Sequence, residues 1–230
     1  EASGFKKTTS TRNKLDAGLP LQVNIDLSVG QVSESVTVEA NIAQINTESA
    51  TVGKTVEQRQ IQNLALNGRN PLFLAMLKPG VRRGSPMTGF SYGLDSGGFT
   101  INGGRSQDSL ITFDGAVGIR TRANGTSVGT ADADTVQEVQ VLTANYSAEY
   151  GRSGTGQIRI VTRSGGKDFH GSFYEYFRND KLDANSWARN VVGNSQRPAL
   201  RYNQFGFNIS GPVTIPGKFN KNREKLFFLF

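Results

Sequence analysis

Two long segments near the end of the chain alternate in polarity residue by residue. FHGSFYEYFR runs from Phe169 to Arg178, and YNQFGFNISGPV from Tyr202 to Val213. In the second, Phe205, Phe207 and Ile209 fall on one side, with Gln204, Gly206, Asn208 and Ser210 on the other. A period of two is the period of a strand, and a helix of this sequence would scatter its aromatic residues around the axis. Each segment is near the 9 to 11 residues with which a tilted strand crosses a bilayer. The sequence ends in KLFFLF, a third apolar run, which reads as an interrupted strand and a chain that continues past Phe230.

The rest of the chain is also extended in character. Gly accounts for 27 of 230 residues, above the ordinary share of about 7%. Leu21 to Val29, LQVNIDLSV, alternates without a break and predicts a half-buried strand. Ser35 to Ala40 predicts a second extended segment, either its hairpin partner or part of another module. Thr55-Val56-Glu57-Gln58 fits a capping box, with Ile61, Leu64 and Ala65 following at helical spacing. Asn67-Gly68 stops that helix, and Asn70-Pro71 starts another whose apolar side is Leu72, Phe73, Met76 and Leu77. Gly80 to Gly98 and Ala116 to Ala131 read as irregular loops. Short strands are expected at Phe99 to Asn102, Leu110 to Phe113, Val136 to Leu142 and Gln157 to Arg163, with Asp114-Gly115 as a turn. The fold class is therefore α+β, a small mixed sheet with two or three short helices.

Composition removes much of enzyme chemistry. The chain has no Cys and a single histidine, His170, so thiolate catalysis and the common zinc frameworks lack their residues. No metal site or cofactor is expected. GRSGTG, Gly151 to Gly156, lacks the Lys of a phosphate loop and leads into a strand, where such a loop must lead into a helix. Gly89-Phe90-Ser91-Tyr92-Gly93 fits GxSxG, with Asp114 and His170 following in hydrolase order, but Ser91 stands in a Gly-rich loop instead of a strand-to-helix turn. Asp114 and Glu149 are the remaining candidate carboxylate pair, and Glu149 with Arg152 a candidate ion pair closing the loop from Tyr146 to Gly154. The net charge of +7 is spread over Arg82, Arg83, Arg120, Arg122, Arg152, Arg159, Arg163, Arg178 and Arg189 without a run of like charges, which reads as a solvated surface and not as a nucleic-acid footprint. No apolar stretch is long enough for a membrane-crossing helix.

Two stretches carry a family likeness. FTINGGRSQDSLITFDG, Phe99 to Gly115, and VQEVQVLTANYSAEYGRSGTGQIRIVTRSGG, Val136 to Gly166, resemble the signature of the plug domain of TonB-dependent outer-membrane receptors, with Asn102 where Arg is usual. The wording of NGGRSQD, NYSAEYGRSG and FHGSFYEYFRND is most similar to the Oar-like receptors. The likeness implies a domain order: residues 1–33 as the last strands of a carboxypeptidase-regulatory-like β-sandwich, 34–48 as a TonB-box-like segment and linker, 49–166 as the plug, and 167–230 as the first strands of a transmembrane β-barrel.

The likeness also implies a function with no covalent chemistry: the gate of a receptor in the outer membrane of a Gram-negative bacterium, for energised uptake or export of an unidentified substrate. Its implied partners are the periplasmic C-terminal domain of TonB, the receptor's own barrel, outer-membrane lipid and an extracellular ligand. Glu34, Ser35, Val36, Thr37, Val38, Glu39 and Ala40 match the TonB box, a segment whose backbone adds as a strand to a partner's sheet. Asn102, Gly103, Gly104, Arg105, Asp114, Gly115, Glu149, Tyr150, Gly151, Arg152 and Gly156 match the plug motif. The loops 80–98 and 116–131 become ligand-facing apices, Gly151 to Gly156 a turn using positive φ, and Arg152, Arg159 and Arg163 cations facing a polar barrel interior. The alternative is a self-assembling structural protein whose exposed strands pair between chains.

Overall fold

The computed structural model describes residues 4–11, 13, 15, 17, 21, 23, 25–30, 35–39, 50–64, 66–84, 98–120, 125–192 and 196–230, with the backbone alone for 35–39 and 67. It divides into two units, 1–162 and 163–230.

The first unit opens with β1 (Lys7–Thr11) and β2 (Ser35–Glu39), which pair in parallel over five residues, from Lys7 opposite Ser35 to Thr11 opposite Glu39. Beyond them, β3 (Val52–Glu57) leads into α1 (Gln58–Asn63) and a 3-10 helix over Pro71–Leu77. Then come β4 (Val81–Arg83), β5 (Phe99–Ile101), β6 (Ser109–Phe113), β7 (Ala116–Val117), β8 (Ile119–Arg120), β9 (Thr126–Ser127), β10 (Val136–Ala144) and β11 (Gly156–Thr162). Five of these form a sheet in the order β3-β10-β11-β6-β7. β10 is antiparallel to both β3 and β11, whereas β11 runs parallel to β6, so the sheet is mixed.

Alternation gives this sheet two different faces. The register places Val56, Val139, Val141, Ile158, Ile160 and Ile111 on one side, and all six are buried against Ile61, Leu72, Leu74, Ala75, Phe99 and Ile101. The opposite side carries Thr55, Glu138, Gln140, Gln157, Arg159 and Thr112. Fully burying one branched apolar side chain stabilises by about 1.5–3 kcal/mol, which makes the first face the one that holds the unit together.

Several expectations are corrected. The capping box closes on Glu57 and Gln60, two residues later than expected, because Thr55 is still paired in β3. α1 stops at Asn63, and the second helix is 3-10, capped by Asn70, whose Oδ1 accepts from Leu72 N at 3.0 Å. The loop 80–98 begins with a strand, since Val81 is buried and β4 pairs with β5. The loop 116–131 contains β7, β8 and β9, with Thr126 and Ser127 buried. Leu21, Ile25, Leu27 and Val29 lie exposed, because no apolar layer among the described residues packs on them. The strand β2 pairs with β1 instead of forming a hairpin with Leu21 to Val29.

The second unit is an antiparallel sheet, β12 (His170–Asn179), β13 (Arg201–Pro212) and β14 (Phe227–Leu229), with α2 (Trp187–Val191) in the β12–β13 connection. Ten consecutive pairs join β12 to β13, from His170 opposite Ser210 to Asn179 opposite Arg201. Phe173, Phe177, Phe205, Phe207 and Ile209 share one face, and all are exposed, Phe173 by 75% and Phe205 by 70%. The other face presents Ser172, Tyr174, Tyr176, Gln204, Gly206 and Asn208. An aromatic face opposite a polar one, on strands of this length, is the pattern of a lipid-facing and lumen-facing barrel wall.

Candidate functional site

The plug-like motif residues gather at two ends of β6 and β11. At the N-terminal end, Asn102 and Gly103 turn the chain with φ of 51° and 79°. The Asn102 side chain donates Nδ2 to Thr143 O at 3.0 Å, tying this turn to the end of β10. Gly104 packs against Thr155 so closely that a Cβ would sit 2.1 Å from Thr155 Cγ2. Arg105 donates Nε to Asp108 Oδ2 at 3.1 Å, and Asp108 O accepts from Gly154 N at 2.8 Å. Ser153 caps the turn, its Oγ accepting from Gly156 N at 2.9 Å.

Within Gly151 to Gly156, Gly151 and Gly156 are required by close approach, and none of the three glycines takes a positive φ. Gly151 is right-handed, with φ −69°. A Cβ on Gly156 would meet Leu142 O at 2.7 Å and Ile101 Cγ2 at 2.8 Å. At the C-terminal end of β6, Asp114 takes φ 48° and Gly115 φ 85°. The Asp114 carboxylate accepts from Thr162 N at 2.8 Å and Thr162 Oγ1 at 2.7 Å, locking the turn to the end of β11.

This geometry separates the candidate acids. Asp114 and Glu149 stand at opposite ends of the five-residue β6, and five residues at about 3.3 Å each is too far for shared proton chemistry. Glu149 and Arg152 are both exposed, and the cation contact of this loop is Arg159, whose guanidinium carbon lies 4.7 Å from the Tyr150 ring centroid. Burial raises the Tyr150 phenol above its ordinary value, the hydrogen bond that the phenol donates to Glu149 adds to this, and Arg159 opposes it. Ser91 lies outside the described residues, and His170 sits exposed on β12. Among the described residues no three His, Cys, Asp or Glu side chains cluster as metal ligands.

Two buried polar features carry little sequence signal. Gln140 and Gln157 are 0% exposed although both are amides in covered strands. Gln157 Nε2 donates to Tyr150 O, while Gln140 Nε2 donates to Ala17 O and to Glu138 Oε1, each at 2.8 Å. Ala17 N donates back to Glu138 Oε1 at 3.0 Å, so the N-terminal segment is pinned to β10 at one residue. The second feature is an ion pair, Arg69 Nη2 to Asp134 Oδ2 at 2.7 Å, with both side chains nearly buried. The only hint of the first is a glutamine between Val139 and Val141. Nothing in the local sequence foretells the second.

Of the TonB-box-like residues, Ser35 to Glu39 form β2, and Glu34 and Ala40 lie outside the described residues. Twelve residues separate the end of β2 from Val52, where β3 begins as the edge of the five-stranded sheet. An extended strand whose second side has no paired strand among the described residues, tethered to an edge strand, is equipped for backbone pairing.

Comparison with known proteins gives the class. A family profile described as TonB-dependent Receptor Plug Domain matches residues 44–157, and one described as Outer membrane beta barrel domain matches 161–230. The chain belongs to the TonB-dependent receptors of the Gram-negative outer membrane, a non-enzymatic family. Within it the chain is Oar-like: it is 27% identical over 224 residues to the TonB-dependent transporter Oar of Myxococcus xanthus, covering 93% of this chain. The chain spans 20% of that relative's length. Among solved structures it is similar to the siderophore receptor PirA of Acinetobacter baumannii, with 21% identity, TM-score 0.47, and coverage of 70% of this chain and 22% of that one. The ferric enterobactin receptor PfeA of Pseudomonas aeruginosa gives 20% identity, TM-score 0.49, and coverage of 73% and 23%. The two family profiles and the Oar relative do not favour the self-assembling alternative.

Proposed function

We propose that this chain is the gate of an energised outer-membrane transporter. Residues 1–33 close a carboxypeptidase-regulatory-like module, 34–48 form the TonB-box-like segment and its linker, 49–166 fill the barrel as a plug, and 167–230 begin its wall. The periplasmic domain of TonB pairs with the Ser35 to Glu39 backbone, and a pull there is transmitted through the linker to β3. Because β3 is an edge strand with β10 as its single sheet neighbour, it is the strand through which load enters the plug. The loops 80–98 and 116–131 face the extracellular ligand, and Arg152, Arg159 and Arg163 face the polar wall of the barrel.

The observation that supports this reading most is the extended, half-open backbone of β2 just ahead of the plug sheet. The test is binding of the TonB periplasmic domain to the intact receptor in detergent. Val36→Pro with Val38→Pro deprives β2 of backbone donors and is expected to lower affinity at least tenfold while leaving the barrel assembled. Affinity unchanged by the substitution contradicts the proposal.

A further inference from the structure

Resting on that reading, we propose that β1 is a platform that holds β2 extended, so that TonB adds to the opposite, open edge of β2 as a third strand and β1 stays in place. Parallel pairing engages backbone groups along one side of a strand, and the alternate groups point away from it. The two-stranded sheet β1-β2 therefore leaves one edge of β2 without a strand among the described residues. A protein with an unpaired strand edge of its own is the partner that fits.

The platform is secured on two sides. Next to β1, Phe5 bridges Val29, Lys6 N donates to Ser28 O at 2.9 Å, and Gly30 N donates to Gly4 O at 3.2 Å. Six residues after β1, Ala17 is held by Glu138 and Gln140 on the buried polar face of β10. β2 is thus presented from a base joined to β10 of the plug sheet, and not from a free tail. Ordering a flexible segment weakens binding, so a segment extended in advance binds more tightly.

Cysteine locking tests this directly, because the 230 residues contain no Cys. Thr9 lies opposite Thr37 in the register, and adjacent strands about 4.8 Å apart suit a disulfide, whose Cα separation is about 4.4–6.8 Å. The intact receptor carrying Thr9→Cys and Thr37→Cys is oxidised, and its affinity for the TonB periplasmic domain is compared with that of the reduced form. The platform predicts that the disulfide forms and that locked and reduced receptors bind equally. It also predicts that Thr8→Pro with Thr9→Pro, which removes one backbone donor on each side of β1, weakens binding by about tenfold through lost preorganisation. Binding that vanishes on oxidation and returns on reduction overturns the platform, since β1 is then a competitor that must leave. Failure of the disulfide to form overturns it too, because the strands then do not pair. A different pattern, a formed disulfide with no TonB binding by any form including the unsubstituted receptor, refutes the coupling reading itself and the platform with it.

Discussion

Single side chains that satisfy backbone groups fix the turns of the plug. Asp114 does this twice, taking both Thr162 donors from a left-handed backbone that Asp and Asn tolerate better than most residues. Asp114→Ala is expected to lower plug stability by about 2 kcal/mol, read as an earlier urea midpoint, whereas Asp114→Asn keeps one acceptor and the left-handed turn and loses less. Tyr150 offers a pH-dependent reading. Its folded pKa is raised, chiefly by burial and then by Glu149, so the folded state holds the phenol proton longer than the unfolded chain does. The resulting stability is complete below the ordinary tyrosine pKa of about 10 and is lost as pH rises through the raised value. Glu149→Gln should bring the Tyr150 titration back toward its ordinary position in a phenolate absorbance titration, and no movement would deny Glu149 that role. Asn220 shows the same economy in the second unit. It donates to Val213 O and Leu226 O and accepts from Glu224 N and Lys225 N, closing the β13–β14 turn with one amide.

Among the elements, the two faces of β12 and β13 make opposite predictions for one substitution. Phe207→Arg puts a cation on the aromatic face, where mid-membrane Arg costs about 2–4 kcal/mol, and should deplete the heat-modifiable, assembled barrel on a gel. Gln204→Arg, on the polar face of the same strand, should leave assembly intact; equal effects would mean the faces are misassigned. These strands were legible because alternation is local: each residue's face follows from its parity, and His170–Asn179 and Arg201–Pro212 match the segments read from sequence to within a residue or two. β10 and β11 were legible for the same reason, as was the Asn70-Pro71 helix start. What stayed hidden depends on partners far along the chain. Val81–Arg83 becomes a strand only because Phe99–Ile101 returns beside it, and Thr55 is lost to capping only because β10 pairs with it. In the candidate site, the Asp114-Gly115 turn could be read from its residue types, whereas Asn102, expected as the end of a strand, leaves β5 at Ile101 and turns with φ 51°. The constraint on Gly156 could not be read either, because it comes from Leu142 and Ile101 packed across the sheet.

The chain joins a unit held by an apolar sheet face to a unit whose apolar face is exposed. The first has a core of its own, in which Val139, Val141, Ile158 and Ile160 are fully or almost fully buried. The second exposes its phenylalanines, and lipid is the solvent that suits them. The polar sheet face, with Gln140 and Gln157 buried among hydrogen bonds, costs desolvation that an apolar face would avoid, and it gives the N-terminal segment an attachment point at Ala17. The central claim, that this plug closes a pore, is tested most directly by planar-bilayer conductance of the intact receptor and of the same receptor with residues 49–166 removed. The account predicts a nearly silent intact receptor and a large, steady channel once the plug is gone. Equal conductance in the two would contradict it.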